Sequence, residues 1–343
     1  MVLIDLRSDT VTKPTRGMYE AMVAAPVGDD VLGDDPTVLR LQDHVAGLLG
    51  KDDALFVPSG TMANQIAVGA QTRPGDQVIL EADAHIYHYE CAACGALWGV
   101  QTALVPGRGG ALAWDQVAAA LPPDDVHFPA PALVCLENTH NRAGGRILPQ
   151  DLVAEIGREA HARGLRVHLD GARLWNAHVA TGRPLRELCA PADTVSVCFS
   201  KGLGAPVGSC LAGDRATLAL ARRLRKRLGG GMRQSGLLAA ACLYALEHHL
   251  DRLAEDHAHA RRIAAELVNP RLEVGHAVET NIVVIEVAPP ATAAGLIAWL
   301  AAAGVLALSV GPQRVRLIPN LGVAARDLDT VLAALNGFAG DGA

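Results

Sequence analysis

The sequence predicts an α/β protein with a mostly parallel sheet flanked by helices, followed by a smaller α/β domain at the carboxyl end. Short apolar runs typical of strands alternate with segments of helical periodicity over much of the chain, which is the pattern of βαβ units. Several of these runs end in polar residues, at the edge where open α/β sheets bind their ligands. Half of the residues are hydrophobic and 19% are charged, as in folded globular proteins.

We predict three segments in the chain of 343 residues. Residues 1–14 form an extended polar arm, which suits a segment laid across a site, although a solvated terminus explains it equally well. Residues 15–245 form the large domain, and residues 246–343 form the small carboxyl-terminal domain. The length agrees with this division, because domains commonly hold ~150 residues.

Apolar periodicity and capping residues predict the elements of the large domain in order. The predicted elements are helices 15–25 and 36–49, a short strand from residue 54, a helix ending at 71, strand 77–80, strand 101–105, helix 114–121, strand 132–137, helix 151–163, strand 166–170 and strand 194–200. A helical run over 246–267 then leads to the small domain. Its predicted elements are strands 271–275, 281–287, 305–310 and 314–318, with helices 291–303 and 324–338.

Composition excludes several functional classes. The net charge of −6 argues against a general nucleic-acid binder, which is normally basic. We see no signal peptide and no apolar run near the ~20 residues that a membrane helix needs, and seven cysteines in such a chain predict reduced thiols and a cytoplasmic location. Cys91 and Cys94 form a C-x-x-C pair without a partner set, so packing is favoured over a metal, and no metal site is predicted.

A short apolar strand from Ala54 runs into Ser59, Gly60 and Thr61, which open a helix. Small residues at the start of a helix expose backbone N–H groups, and the helix dipole adds positive potential, so this stretch is suited to bind a phosphate. Ordinary capping of a helix by serine or threonine explains the same residues equally well.

Two polar residues follow successive predicted strands further along the chain. Asp170 ends one buried strand, and a buried carboxylate is costly unless it meets a cation. Lys201 follows the next strand. The chain uses arginine for most of its positive charges, and its other lysines are Lys13, Lys51 and Lys226. An amine can lose its proton and attack a carbonyl, whereas a guanidinium cannot. A lone lysine after a strand more often simply reaches water, so the combination of residues decides the interpretation.

A phosphate site, an aspartate and a lysine in this order match the needs of pyridoxal 5′-phosphate. Gly60 and Thr61 would bind the phosphate, Asp170 the protonated pyridine nitrogen, and Lys201 the aldehyde. With its ring nitrogen protonated, this cofactor accepts electrons from the Cα of an amino acid.

The chain resembles the low-specificity L-threonine aldolases, of the β-eliminating lyase and threonine aldolase group of fold-type-I pyridoxal-phosphate enzymes. The resemblance covers nearly the whole length and depends on seven motifs in order. These are Asp5-Leu-Arg-Ser-Asp-Thr-Val-Thr-Lys-Pro14, Val27-Gly-Asp-Asp-Val31, Phe56-Val-Pro-Ser-Gly-Thr-Met-Ala-Asn64, Glu137-Asn-Thr-His-Asn-Arg-Ala-Gly-Gly145, His168-Leu-Asp-Gly-Ala-Arg173, Ser200-Lys-Gly-Leu-Gly-Ala-Pro-Val-Gly208 and Leu228-Gly-Gly-Gly-Met-Arg-Gln234.

The resemblance implies a carbon–carbon lyase that cleaves L-threonine, L-allo-threonine and related β-hydroxy-α-amino acids to glycine and an aldehyde. It also implies a homotetramer, a dimer of dimers in which two subunits share each active site. A basic run at 222–227 next to a glycine-rich turn is then more typical of a helix end near the interface than of a nucleic-acid patch.

The resemblance also implies a role for individual residues. Lys201 would be the Schiff-base lysine, and His85 would stack on the cofactor ring. The substrate carboxylate, the substrate hydroxyl and the phosphate would meet further side chains: Arg173, Ser8 and Arg316 at the carboxylate, His127 at the hydroxyl, and Arg233 of the neighbouring subunit at the phosphate. Either His85 or His127 is able to act as the base. Pro319 and Asn320 depart from the threonine-histidine ending of the family pattern.

Two other functions stay open from the sequence. The same scaffold supports other pyridoxal reactions, such as β-elimination or glycine hydroxymethyl transfer, although no feature of the sequence indicates a folate site. A relative that only binds the cofactor is the second alternative, and the presence together of Lys201, Asp170 and His85 argues against it.

Overall fold

The computed structural model describes residues 3–340, so the ends of the predicted arm (1–2) and of the predicted small domain (341–343) lie outside the described residues. The helices are α1 (Arg16–Ala24), α2 (Pro36–Leu49), α3 (Gly60–Gln71), α4 (His85–His88), α5 (Ala93–Trp98), α6 (Trp114–Ala119), α7 (Gln150–His161), α8 (Leu174–Thr181), α9 (Leu185–Cys189), α10 (Arg215–Arg227), α11 (Gly236–His248), α12 (Leu253–Glu266), α13 (Ala293–Ala302) and α14 (Asp327–Asn336). The strands are β1 (Ile4–Asp5), β2 (Asp53–Val57), β3 (Gln77–Glu81), β4 (Gln101–Val105), β5 (Pro131–Glu137), β6 (Arg166–Gly171), β7 (Thr194–Cys198), β8 (Ser209–Gly213), β9 (Leu272–Val274), β10 (Val283–Val287), β11 (Val305–Leu306), β12 (Leu308–Gly311) and β13 (Arg314–Leu317).

The main sheet has seven strands in the order β2-β8-β7-β6-β5-β3-β4. Strands β7, β6, β5, β3 and β4 pair in parallel, and β8 runs antiparallel to both of its neighbours, β2 and β7. The prediction of an α/β fold with a mostly parallel sheet is therefore confirmed. Strand β8 was not predicted, because its Ser-Cys-Leu-Ala-Gly sequence is poor in the β-branched and aromatic residues that strands prefer.

Local sequence explains the bounds of α2, which the helical periodicity predicts at the same residues. The Asp35 side chain accepts hydrogen bonds from the backbone N–H groups of Thr37 and Val38, at 3.1 and 3.0 Å. Pro36 occupies the first turn, where a missing N–H is tolerated. Gly50 ends the helix in the left-handed conformation, with φ of 65°.

A second sheet, with the order β12-β13-β10-β9, is covered by α13 and α14. It forms an apolar cluster of its own, which includes Ile4 and Leu6 from the amino-terminal arm. Strand β1 pairs in parallel with β11, so the side chains of Ile4 and Leu6 are packed rather than solvated. The signal in the sequence is the alternation of Ile4 and Leu6 with charged residues, which the interpretation as a polar arm overlooked.

The helical run predicted over 246–267 is interrupted. Helix α11 ends at His248, and α12 begins at Leu253. Between them, His249 Nδ1 forms a hydrogen bond of 2.8 Å with the carbonyl oxygen of Leu203, in the loop that carries Lys201. Leu253 packs in the core of the main sheet, whereas Ala260 joins the second cluster. Within residues 3–340, no helix combines the length and apolar character needed to cross a membrane.

Candidate active site

A pocket of about 290 Å³ lies at the carboxyl edge of the main sheet. Because the parallel strands end at this edge, residues that follow different strands converge there. The arm and strand β12 close the other side. Of the predicted site residues, the pocket is lined by Ser8, His85, Arg173, Lys201 and Arg316.

The side chain of Lys201 lies in this pocket. Its Nζ makes no hydrogen bond or ion pair within residues 3–340. The nearby carboxylate of Asp9 is instead paired with Arg173. The backbone of the loop is fixed by two hydrogen bonds to the Lys201 carbonyl oxygen, one from Thr12 Oγ1 at 2.9 Å and one from the N–H of Gly204 at 2.8 Å. A lysine held in this way presents an unengaged amine to the pocket.

Asp170 lies behind the pocket and is 2% exposed. Its Oδ2 accepts a hydrogen bond of 2.8 Å from Asn64 Nδ2, and its Oδ1 accepts one of 3.0 Å from the N–H of Ala172. Burial alone would raise the pKa of Asp170, but the charges of His85 and Lys201 hold it below its usual value. A buried carboxylate of this kind is suited to accept a hydrogen bond from a protonated pyridine nitrogen.

The start of helix α3 combines both interpretations of its sequence. The Ser59 side chain caps the helix by accepting a hydrogen bond of 3.2 Å from the N–H of Met62. The N–H groups of Gly60 and Thr61 have no acceptor within the helix, so they remain suited to bind a phosphate. A Cβ on Gly60 would lie 2.7 Å from Cys198 Sγ, so the close approach of α3 to β7 requires glycine. One turn later in the same helix, Asn64 contacts Asp170. Helix α3 therefore connects the predicted phosphate site with the carboxylate predicted to bind the pyridine nitrogen.

Two arginines give the pocket its positive charge. Arg173 is 6% exposed and is held by the Asp9 carboxylate. Arg316 Nη1 donates a hydrogen bond of 2.9 Å to Asn141 Oδ1, while its buried Nε has no partner among the described residues. Burial and the charge of Arg173 lower the pKa of Arg316. Two guanidinium groups of like charge with an unused donor favour an anion such as a carboxylate between them.

The two candidate histidines differ in position. His85 lines the pocket, and its Nδ1 contacts Glu90 Oε1 at 3.0 Å. His127 lies in the loop before β5, where its side chain is 81% exposed and contacts Asp125 Oδ1 at 2.5 Å. Within one chain, His127 is outside the pocket.

Arg233 is also outside the pocket of its own chain. Its Nη1 donates a hydrogen bond of 2.9 Å to Asp29 Oδ2 in the acidic loop at 28–35, between α1 and α2, and its side chain is 59% exposed. The backbone N–H of Asp30 also donates to the Arg233 carbonyl oxygen at 3.0 Å, which ties the acidic loop to the glycine-rich turn.

Sequence reasoning gave no role to Asp9, Asn64, Glu90 or Asn141. Asp9, Asn64 and Asn141 bind side chains far away in the chain. Glu90 contacts His85, five residues before it, and the sequence of this short segment did not indicate that contact. Asn320, at the departure from the family pattern, does not line the pocket. Its Nδ2 donates to the carbonyl oxygens of Asp5 at 3.0 Å and of Ser8 at 3.4 Å. Asn320 therefore fastens the arm that carries Ser8 and Asp9 into the site.

Comparison with known proteins agrees with this geometry. Residues 5–290 match the family model described as beta-eliminating lyase. The chain is 44% identical over 337 residues to a low-specificity L-threonine aldolase of Escherichia coli O157:H7, a match that covers 98% of this chain and 99% of that protein. It is also 44% identical to a probable low-specificity L-threonine aldolase 2 of Arabidopsis thaliana, over 96% of this chain and 95% of the relative.

Among solved structures, a threonine aldolase from Leishmania major superposes with a TM-score of 0.83 at 22% identity, over 97% of this chain and 98% of the other. This similarity concerns the fold, which is the fold-type-I architecture that the sequence predicts. The family match and the identity over nearly the full length go further. The chain belongs to the beta-eliminating lyase family and, within it, to the low-specificity L-threonine aldolases.

Proposed function

We propose that this protein is a carbon–carbon lyase that cleaves L-threonine, L-allo-threonine and related β-hydroxy-α-amino acids to glycine and an aldehyde. The observation that carries the proposal is one pocket in which the free amine of Lys201 lies with Arg173 and Arg316. The names of the relatives at 44% identity support the same activity.

The residues present fit pyridoxal 5′-phosphate as the cofactor. Lys201 would bind its aldehyde, Asp170 would keep the ring nitrogen protonated, and the N–H groups of Gly60 and Thr61, after the Ser59 cap, would hold the phosphate. When bound, the cofactor supplies an electron sink for the pair left on Cα. His85, which lines the pocket, would stack on the ring.

The other pocket residues orient the substrate and move its proton. Arg173, Arg316 and the Ser8 hydroxyl would bind the α-carboxylate, which fixes the amino acid in one orientation. The β-hydroxyl then lies within the same small pocket as the His85 imidazole, which takes its proton as the Cα–Cβ bond breaks. Cβ leaves as the aldehyde carbon, and Cα gains a proton to give glycine. His127 would help to hold the hydroxyl if its loop approaches the pocket in the assembled protein.

We further propose a homotetramer, a dimer of dimers in which Arg233 reaches the phosphate of the neighbouring subunit. Three observations support an interface there: the Arg233 side chain is exposed, Leu32 in the acidic loop is 75% exposed, and a cavity of about 470 Å³ lies between the acidic loop and α10. A cytoplasmic location is supported by the cysteines, which form no disulfide within residues 3–340. The proposed domain limits remain 15–245 and 246–343.

One assay tests the proposed activity. The purified protein with added pyridoxal phosphate and no folate is incubated with each threonine diastereomer, and acetaldehyde and glycine are measured. Equal amounts of both products support the proposal. Ammonia with 2-oxobutanoate would instead indicate β-elimination, and glycine formation only with added folate would indicate hydroxymethyl transfer.

A further inference from the structure

Glu90 is a buried carboxylate next to the pocket that no proposed role uses. It is 2% exposed, and three side chains contact it. Oε1 accepts a hydrogen bond of 2.8 Å from Asn64 Nδ2, and Oε2 accepts one of 2.6 Å from Gln65 Nε2. The third contact joins Oε1 to His85 Nδ1 at 3.0 Å.

These contacts determine which nitrogen of the neutral His85 ring carries the hydrogen. Amide nitrogens only donate, so both Glu90 oxygens already act as acceptors. In the remaining contact, the hydrogen therefore lies on His85 Nδ1, and the neutral ring has its free electron pair on Nε2. Nε2 makes no hydrogen bond within residues 3–340, and the ring lines the pocket. A histidine oriented by a carboxylate in this way is prepared to accept a proton.

Asn64 fixes Glu90 relative to the cofactor site. Its Nδ2 donates to Glu90 and also to Asp170 Oδ2, both at 2.8 Å. Its Oδ1 accepts a hydrogen bond from Ser196 Oγ at 2.7 Å and contacts His168 Nε2 at 3.1 Å. These contacts fix which end of the Asn64 amide faces the two carboxylates. His85, Glu90 and Asp170 offer ligand atoms within 4.8 Å of one another, but this shared amide donor already occupies the space between the carboxylates and would repel a cation.

The backbone after Glu90 supports a specific placement of this side chain. Cys91 and Ala92 both have left-handed conformations, with φ of 54° and 56°. Residues other than glycine adopt this region at a cost, and such residues cluster at functional sites. These two residues lie between α4 and α5 and directly follow the buried Glu90.

We propose that Glu90 is a positioning residue for carbon–carbon cleavage, which holds the hydrogen of His85 on Nδ1 and presents Nε2 to the β-hydroxyl of the substrate. The substrate O–H bond breaks, and its proton binds Nε2. The electron pair of that bond forms the aldehyde C=O as the Cα–Cβ bond breaks, and the pair of the broken bond remains on Cα. Glu90 stabilises the resulting imidazolium. This inference depends on the proposed aldol cleavage.

The charges around His85 give the expected effect of pH. Burial alone would lower the pKa of His85, but the hydrogen bond to Glu90 and the charges of Asp170, Glu90 and Glu137 raise it. Glu90 comes from the segment of His85 itself, Asp170 from β6 and Glu137 from β5, while the cations Lys201, Arg173 and Arg316 line the same pocket. Loss of the Glu90 charge should therefore lower the pKa of His85.

Glu90→Gln tests the proposal in the cofactor-loaded protein. For threonine cleavage we expect kcat to fall about 10- to 100-fold, by analogy with the loss of a carboxylate that orients a metal-bound histidine. The acid limb of the kcat–pH profile should shift to lower pH. The visible absorbance of the lysine-bound cofactor should persist, because Lys201 and Asp170 are unchanged. The tautomer can be followed by NMR in protein with ¹⁵N-labelled histidine, where the His85 signal is identified by its loss in His85→Asn. In the wild type this signal should show the hydrogen on Nδ1, and in Glu90→Gln this preference should be lost.

A double mutant and a matched control separate positioning from a general structural effect. In a His85→Asn background, Glu90→Gln should lower kcat by less than about 3-fold, because the two residues act as one unit. Glu81→Gln removes the partner of a second buried pair, Glu81–His140, with a contact of 2.9 Å, and should leave the acid limb in place.

Two results would overturn the inference when the wild-type protein cleaves threonine. In the first, Glu90→Gln has a kcat within about 3-fold of the wild-type value and an unshifted acid limb of its kcat–pH profile. In the second, the effects of Glu90→Gln and His85→Asn on kcat are additive in the double mutant. A wild-type protein that releases no aldehyde from threonine would contradict the proposed function instead, whatever Glu90→Gln does.

Discussion

Asp9 and Arg173 form a bidentate ion pair in the interior of the protein. Arg173 Nε donates to Asp9 Oδ2 at 2.8 Å, and Nη2 donates to Oδ1 at 2.7 Å. Asn281 Nδ2 adds a third hydrogen bond to Oδ2 at 3.2 Å. Burial alone would raise the pKa of Asp9, but the charge of Arg173 lowers it to about 2. The pair fixes the plane of the guanidinium and leaves Nη1 for the pocket.

We predict that Asp9→Asn raises the KM for threonine about tenfold or more, because Arg173 would no longer be held in position for the substrate carboxylate. A tenfold change corresponds to a loss of ~1.4 kcal/mol of substrate binding. The variant should also lose about 3–5 kcal/mol of unfolding free energy, because a buried charge is left without its partner. Steady-state kinetics and denaturant unfolding measure the two effects.

Asp5→Asn is the control, since its pair with Arg7 is exposed and should contribute about 1 kcal/mol or less. An unchanged KM in Asp9→Asn would show that the pair does not orient Arg173 for substrate.

The pairing of Asp9 with Arg173 illustrates what the sequence does not reveal. The two residues are 164 positions apart, and a short acidic side chain in a polar arm carries no local signal of burial. Asp170 and Lys201 are different, because the position of each after a predicted strand places it at one edge of the sheet before any contact is known. The fold was therefore predicted from alternation and strand ends, whereas the contacts that hold the side chains were not.

Arg233 provides a test of the shared active site. Arg233→Ala and Lys201→Ala should each be inactive alone, and mixed subunits should regain part of the activity. The physical reason is that a hybrid dimer would hold one site with both an intact Lys201 and an intact Arg233 from its neighbour. Activity after dissociation and reassembly is the measurement. If hybrid dimers are confirmed by mass and remain inactive, Arg233 acts within its own subunit.

The two candidate bases are separated by their variants. His85→Asn should lower kcat about 100- to 10,000-fold, the usual range for loss of a general base, because His85 lines the pocket. His127→Asn should mainly alter the ratio of kcat/KM between the threonine diastereomers, since His127 lies outside the pocket of its own chain. A loss of that size for both diastereomers in His127→Asn, but not in His85→Asn, would reverse the assignment.

Buried histidines should make the stability depend on pH. Complete burial lowers the pKa of His168 to about 4, whereas in the unfolded chain it lies near ~6.5. Between these values the unfolded state binds the proton and the folded state does not, so stability is complete above pH ~6.5 and falls as the pH decreases toward 4. The loss from this residue is about 3 kcal/mol.

Urea unfolding at several pH values between 7 and 4 measures this effect. His168→Gln should have a smaller pH dependence than the wild type, but should keep part of it, because burial also lowers the pKa of His257 to about 4. Identical slopes for the wild type and His168→Gln would contradict the assignment of a neutral His168 in the folded protein.

Asn320 shows a second limit of sequence reasoning. The departure from the family pattern at this position leaves the local substrate contacts open, and the structure shows that Asn320 is 1% exposed and fastens the arm. Its three carbonyl partners belong to Asp5, Ser8 and Ile318. Backbone acceptors of this kind leave no trace in the side-chain sequence, so only the folded chain reveals them.

The products formed from L-threonine test the central claim most directly. We predict that wild-type protein with pyridoxal phosphate converts ¹³C-labelled L-threonine to glycine and acetaldehyde in equal amounts, as followed by NMR. Lys201→Ala should form neither product at a comparable rate and should lose the visible absorbance of the lysine-bound cofactor. Formation of 2-oxobutanoate and ammonia by the wild type, or undiminished cleavage by Lys201→Ala, would contradict the account.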